Sequence, residues 1–263
     1  MKIKPSENTK LYGMNHFFDE ISSLYLQKNL PTKILLSGKK GLGKSTMAYH
    51  LINYFLSEDE EFKYDANNFI INEKNRSFKL LQNNSHPNFH LIDLLNEKKN
   101  IEVTQIREMI MYTNKSTFNN MPRFILIDNI ENLNKNSVNA LLKVIEEPNE
   151  NVFFILINNS EKNILPTLRS RCLSFRIYFT FNDFINVTNQ ILDQNMLDLI
   201  NHDLINYYNT PGEIINLINF SKDKKIDLKK YTLINLLNLL IDNGHYKKNK
   251  IVKILLINFI ELF

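Results

Sequence analysis

Lys33-Ile34-Leu35-Leu36-Ser37-Gly38-Lys39-Lys40-Gly41-Leu42-Gly43-Lys44-Ser45 is the stretch that decides the fold. Its first five residues are a short apolar run closing on glycine, and a helical pattern follows from Lys44 to about Leu56. Strand, glycine-rich turn and helix open a βαβ unit. Residues 38–45 fit G-x-x-x-x-G-K-[ST] at every position, in the strand-to-helix context that gives such a match its meaning. The glycines let the backbone wrap a phosphate, and successive N–H groups at the helix N-terminus point at its oxygens. Lys44 reaches the β- and γ-phosphates, and Ser45 can hold Mg²⁺. Gly38, Lys39, Lys40, Gly41, Leu42, Gly43, Lys44, Ser45 and Thr46 are therefore candidate nucleotide-binding residues, with ATP and Mg²⁺ as expected cofactors. The plainer alternative is a phosphate loop kept as a fold element without nucleotide.

Outward from the loop, residues 57–87 turn polar after an acidic start at Glu58, Asp59, Glu60 and Glu61, and read as an irregular insertion. Residues 89–93 read as a second strand. Residues 101–113 carry Val103, Ile106, Ile110 and Met111 on one helical face, and 123–127 form an apolar strand ending on Asp128. Residues 134–147 place Val138, Leu141, Leu142 and Ile145 at i, i+3, i+4 and i+7 and stop at Pro148, an amphipathic helix. Residues 152–157 and 172–177 read as two more strands. Unbroken apolar strands alternating with helices predict a parallel sheet covered on both faces. After about Thr180 the strands stop. Residues 182–192, 196–208 and 211–220 read as three short helices, then 227–241 and 250–263 as two strongly apolar ones.

The chain has 263 residues, with 40 Asn against three Ala. That bias points to an AT-rich coding genome and weakens propensity, so patterning carries the reading. One cysteine, Cys172, excludes an intramolecular disulfide and a Cys-based zinc cluster. No apolar run reaches the roughly 18 residues of a membrane span, and the start lacks the apolar core of a signal peptide. The expectation is a cytoplasmic protein with no membrane partner. The net charge of +4 does not by itself imply nucleic-acid binding.

Hydrolysis needs a carboxylate for Mg²⁺ and a group that orients water. Asp128, at the end of Phe124-Ile125-Leu126-Ile127, is the expected carboxylate, and a turn residue is the plain alternative. The next residue is Asn129, and an amide cannot act as a base. Glu131 could substitute only through an unusual turn. Weak or absent hydrolysis by this chain alone is expected. Pro166-Thr167-Leu168-Arg169-Ser170-Arg171-Cys172 places two arginines before the last strand, suited either to a transferring phosphoryl group, even in a neighbouring subunit, or to a surface ion pair. His86 and His90 are four apart, but Pro87 argues against helix and further zinc ligands are missing, so zinc is not expected. Glu146-Glu147 reads as solvated or partner-facing, and Cys172 as a small buried residue.

These residues resemble a known family, the AAA+ clamp-loader ATPases of bacterial replication. Residues 137–148, Ser-Val-Asn-Ala-Leu-Leu-Lys-Val-Ile-Glu-Glu-Pro, are close to its N-A-L-L-K-x-x-E-E-P signature. Residues 168–172, Leu-Arg-Ser-Arg-Cys, match its S-R-C motif, and residues 101–108 resemble its I-x-V-x-x-I-R-E helix. Three departures separate the chain from the family's tau/gamma motor subunit. Asn129 replaces the catalytic Glu, Asn158 or Asn159 stands where the motor has a Thr sensor, and Thr210-Pro211-Gly212-Glu213 has no sensing arginine. The motor's zinc-binding cysteines are also absent before Ser85-His86-Pro87-Asn88-Phe89-His90.

The resemblance implies an α/β AAA+ P-loop domain with a parallel sheet over residues 1–178, an all-helical lid over 179–225 and a short helical collar-like region over 226–263. It implies a pentamer with tau/gamma and delta subunits that opens a sliding clamp and closes it on primed DNA. Within it the chain resembles the rigid subunit at one end, with Arg171 reaching the neighbour's ATP and Asn158 added to the nucleotide contacts. An active motor using Asp128 with Glu131, and a stand-alone helicase loader or remodeller, are the alternatives.

Overall fold

The computed structural model describes residues 4–95, 98–115, 121–159, 164–205 and 209–242, with residues 244, 253, 257 and 260 beyond them. The chain separates into two compact units, Lys2–Tyr178 and a second that begins at Phe179.

The first unit contains α1 (Asn15–Leu26), β1 (Lys33–Ser37), α2 (Lys44–Leu56), α3 (Arg76–Gln82), β2 (Phe89–Ile92) and α4 (Val103–Thr113). It continues through β3 (Arg123–Ile127), α5 (Lys135–Glu146), β4 (Val152–Asn158), α6 (Pro166–Arg169) and β5 (Leu173–Arg176). All four strand pairings are parallel, in the order β2-β3-β4-β1-β5. Leu35 pairs with Leu156 and Ser174, and Ile125 with His90 and Phe154. This is the expected parallel α/β domain.

Alternation along the strands makes two cores. Ile125, Ile127, Phe154 and Leu156 join Ile106 and Met109 of α4, Leu141 and Ile145 of α5, and Leu168 of α6 in one buried cluster. On the other side Tyr25 of α1 stacks on Phe55 of α2, which stacks on Phe124, which stacks on Phe153. β3 is buried throughout: residues 124–127 are apolar, and the Arg123 guanidinium donates to the carbonyls of Tyr112, Thr113 and Lys115. β5 buries only Phe175, since it lies at the sheet edge and has a neighbour on one side only.

Residues 57–87 are more ordered than their polarity predicts. Asn75 caps α3 by accepting the Phe78 N–H (2.7 Å), and the Glu60 carboxylate accepts the Arg76 N–H (2.8 Å) and the Ser77 hydroxyl. Glu60 thus sits where a helix N-terminus favours negative charge.

The second unit holds α7 (Phe181–Leu192), α8 (Pro211–Lys224) and α9 (Leu233–Asp242). α7 and α8 start with capping boxes, Thr180 with Asp183 and Thr210 with Glu213. So Thr210-Pro211-Gly212-Glu213 is a helix start, with proline at its favoured first position. The helix expected over 196–208 is instead two 3-10 turns, Met196–Asp198 and His202–Leu204, begun by the side chains of Asn195 and Asn201. Those amides compete with helix propagation by holding the nearby backbone N–H groups. Most of the helix expected over 250–263 lies outside the described residues.

Candidate functional site

The loop of residues 38–43 leaves β1 and enters α2 at Lys44. Gly41 and Gly43 have φ of 86° and 93°, a left-handed backbone that glycine takes without strain. Gly38 is needed for a different reason: a Cβ there would fall on the carbonyl oxygen of Ile177. The Gly38 N–H meets the Asn158 carbonyl at 3.2 Å, tying the loop to the end of β4.

Lys44 is 3% exposed, and its ammonium donates to the carbonyls of Gly38 (2.9 Å) and Lys39 (2.7 Å). The charge lies inside the curl of its own loop. Lys39 and Lys40 are exposed, and Leu42 is buried under the loop. The Thr46 hydroxyl accepts from Asn8 (3.3 Å), so it is engaged by the N-terminal segment.

Ser45 Oγ donates to Asp128 Oδ2 at 2.5 Å, across 83 residues of sequence. Removal from water pushes the Asp128 carboxyl up to about 6, the Ser45 hydroxyl pulls the other way, and the charge of Asp93 adds to the rise. Hydroxyl and carboxylate oxygens converging here form the hard donor set that Mg²⁺ prefers. Among the described residues no group of three or more His, Cys, Asp or Glu could hold a metal ion. Any Mg²⁺ at this place would draw its other ligands from phosphates and water.

Beyond Asp128 the strand ends are bridged by amides. Asn129 adopts the left-handed conformation (φ 57°), which Asn tolerates. Its amide donates to Asp93 Oδ1 (2.7 Å) and accepts from the Asn159 amide (2.8 Å). The bridge spans the carboxyl ends of β2, β3 and β4, where ligands bind in open α/β sheets. Glu131, on the following 3-10 turn, is buried, with Oε2 accepting the Asn159 N–H at 3.2 Å. Its Oε1 is buried without a hydrogen-bond partner.

The sequence reading singled out Asp128, Asn129 and Glu131 but missed Asp93. The signal was there: Phe89-His90-Leu91-Ile92-Asp93 is an apolar strand ending in Asp, the same pattern that identified Asp128. Asn158 offers its backbone to the loop, whereas Asn159 sends its side chain into the bridge.

Arg171 lies in the turn between α6 and β5. It pairs with Glu146 (2.7 Å) and donates to the Thr167 carbonyl (2.8 Å). The Cys172 thiol donates to the Leu168 carbonyl, and burial pushes it up to about 11. His86 accepts the Asn88 N–H and faces Ser77, while His90 stacks on Tyr112.

The model of the family described as "DNA polymerase III, delta subunit" matches residues 13–180. A protein named DNA polymerase III subunit delta' from Buchnera aphidicola subsp. Baizongia pistaciae is 30% identical over 151 residues, covering 55% of this chain and 43% of that protein. A DNA polymerase III subunit gamma from Buchnera aphidicola subsp. Schizaphis graminum is 30% identical over 193 residues, covering 73% and 50%. A solved DNA polymerase III gamma subunit-related protein of Thermotoga maritima aligns with a TM-score of 0.46 at 17% identity, covering 88% of this chain and 66% of that one. The chain spans about half the length of the curated relatives it matches.

Proposed function

The chain belongs to the DNA polymerase III delta-subunit family, and from that membership we propose that it serves as a delta-prime-type subunit of a clamp loader. It holds ATP in the loop of residues 38–45, hydrolyses it poorly by itself, and presents Arg171 to ATP held by a neighbouring tau/gamma-type subunit. Its further partners are a delta-type subunit, the sliding clamp and, through the complex, primed DNA. It is a cytoplasmic protein in this reading; among the described residues no helix is long and apolar enough to cross a membrane.

The observation that carries the reading is the amide at position 129. In this reading the loop N–H groups and the start of α2 would hold the phosphates, and Lys44, which donates to two loop carbonyls, would donate to phosphate oxygens instead. Ser45 and Asp128 would hold Mg²⁺, which when bound neutralises charge on the β- and γ-oxygens. The residue after Asp128, however, is an amide with both ends engaged. It neither takes a proton from water nor turns freely to orient one.

A second reading, slow hydrolysis by this chain itself, is favoured by one observation: Glu131 keeps a buried carboxylate oxygen without a hydrogen-bond partner at the end of β4.

Two measurements test the proposal. Excess Mg-ATP raises the parent's thermal stability, by about 2.7 kcal/mol at a hundred times Kd, and leaves Lys44→Ala unmoved. In the assembled loader, Arg171→Ala lowers DNA-stimulated ATP hydrolysis by about 10³-fold. Unchanged hydrolysis would remove the donated arginine. Brisk ATP turnover by the isolated parent, lost in Glu131→Gln, would select the second reading. Purification of the chain from its own cell as a homo-oligomer or with a helicase would replace clamp loading by another remodelling role.

A further inference from the structure

We propose that Glu146 is a positioning residue for Arg171, holding the guanidinium in the orientation in which it is handed to a neighbouring subunit. The inference rests on the reading of Arg171 given above and adds a second residue to it.

Three observations carry it. First, the guanidinium is held at two points from two elements. Nη2 pairs with Glu146 Oε1 at 2.7 Å and Nη1 donates to the Thr167 carbonyl at 2.8 Å. A guanidinium has five N–H donors, so these two bonds leave donors over for a phosphate.

Second, both elements stand on one core. Leu141 and Ile145 of α5 and Leu168 of α6 belong to the same buried cluster, with Ile164 and Cys172 packed against it. Cys172 adds a bond to the Leu168 carbonyl. The distance from Glu146 to the Arg171 backbone is therefore set by packing rather than by the ion pair.

Third, Glu146 is placed against local preference. It is the last residue of α5, where carbonyl groups make a negative end and an acid is unfavourable by about 0.3–1 kcal/mol. The C-cap that follows is Glu147, and the basic residue of that last turn is Lys143. A sequence selected for helix stability alone would not put an acid there. Placements that break a local rule tend to mark functional positions.

The pair is also weak enough to be used. The two side chains are 37% and 49% exposed, and exposed pairs contribute little to stability because water screens them. Arg171 can shift toward a trans phosphate without a large cost, while the two anchors remove the rotamer search that a free arginine would need.

The test is a double-mutant cycle in the assembled loader, with ATP hydrolysis resolved into kcat and KM. Glu146→Gln is expected to lower kcat by about tenfold with KM for ATP unchanged. Glu146→Asp, which keeps the charge on a shorter arm, restores part of the loss. Added to Arg171→Ala, Glu146→Gln has no further effect, because its action passes through that arginine. An equal loss in the presence and absence of Arg171→Ala would show that Glu146 acts elsewhere and would overturn the proposal, as would an unchanged or increased kcat in the single variant. If Arg171→Ala alone changes nothing, the donated arginine fails, and the positioning role with it. That pattern differs from additivity, so the two failures are told apart.

Discussion

The phosphate-loop end of the sheet and the Arg171 turn lie in the same compact unit but are built on opposite terms. At the loop, polar and charged groups are satisfied internally: Lys44 by loop carbonyls, Asp128 by Ser45, Asn129 by two neighbours. At the turn, Arg171 is exposed and held by a screened pair and one carbonyl. The first arrangement suits a ligand received within the chain, and its groups bear on folding, in one direction or the other. The second suits a group offered outward, and little stability depends on it. Substitutions should therefore separate the two regions, with folding effects at the loop and activity effects at the turn.

The largest folding effect is expected at Gly38. A methyl group there meets the Ile177 carbonyl, and the surrounding backbone has little room to yield. The Gly38 N–H is bonded to β4, and the Ile177 N–H to Ser37 (2.7 Å). Gly38→Ala should cost about 3 kcal/mol or more, read from urea unfolding midpoints. A loss under about 1 kcal/mol would mean that this end of the sheet is looser than its hydrogen bonds suggest.

Asn129→Ala follows, at about 3 kcal/mol. It removes a hydrogen bond to a charged acceptor and one between amides, and leaves alanine in a left-handed conformation. Asn129→Gly relieves the backbone share and should recover roughly 1 kcal/mol of it. If the two variants are equally stable, the conformation is not what the amide is chosen for.

Asp128→Asn should move the other way. The folded carboxyl is pushed up to about 6 from an ordinary 3.8, so above pH 6 the fold carries an ionised group it disfavours. As pH falls through 6 the native state binds the proton first and that penalty disappears. The variant should therefore be more stable than the parent by about 2 kcal/mol at pH 7, allowing for partial exposure, with the gap closing by pH 4. His50 works in the opposite sense: burial lowers it to about 4, so stability present above pH 6.5 is lost as the pH falls toward 4. The comparison of variant with parent cancels that contribution. A carboxylate retained at a cost to stability is what a binding role would look like.

Much of this was legible in the sequence because the loop and the sheet strands are short-range signals. The motif at residues 38–45 and the buried strands need no knowledge of distant partners. What escaped depends on long-range pairing. Glu60 read as part of an acidic polar run, yet it caps α3 from 16 residues away. The Asn bias hid local meaning as well. Asn75, Asn134, Asn195 and Asn201 cap helices or 3-10 turns, and Asn84, Asn129 and Asn151 take positive φ. Composition made asparagine look like background, while its short amide is suited to those positions. Asp93 ends a strand just as Asp128 does, but its placement beside Asn129 depends on β2 pairing with β3, which a pattern along one strand does not contain.

The smallest folding effect completes the contrast. Arg171→Ala should change stability by less than about 0.5 kcal/mol, since it removes one exposed ion pair and one exposed hydrogen bond. Part of even that is returned, because Glu146 at the end of α5 regains water in place of its partner. The same substitution is expected to lower hydrolysis in the assembled loader by about 10³-fold, or roughly 4 kcal/mol in activation free energy. Measuring both quantities on one preparation makes the comparison strict. A large loss of stability would mean that the turn is a structural clasp after all, and any fall in hydrolysis would then follow from misfolding. A large loss of hydrolysis with stability intact would place the role of Arg171 outside its own fold, as the proposed donation to a neighbouring subunit requires.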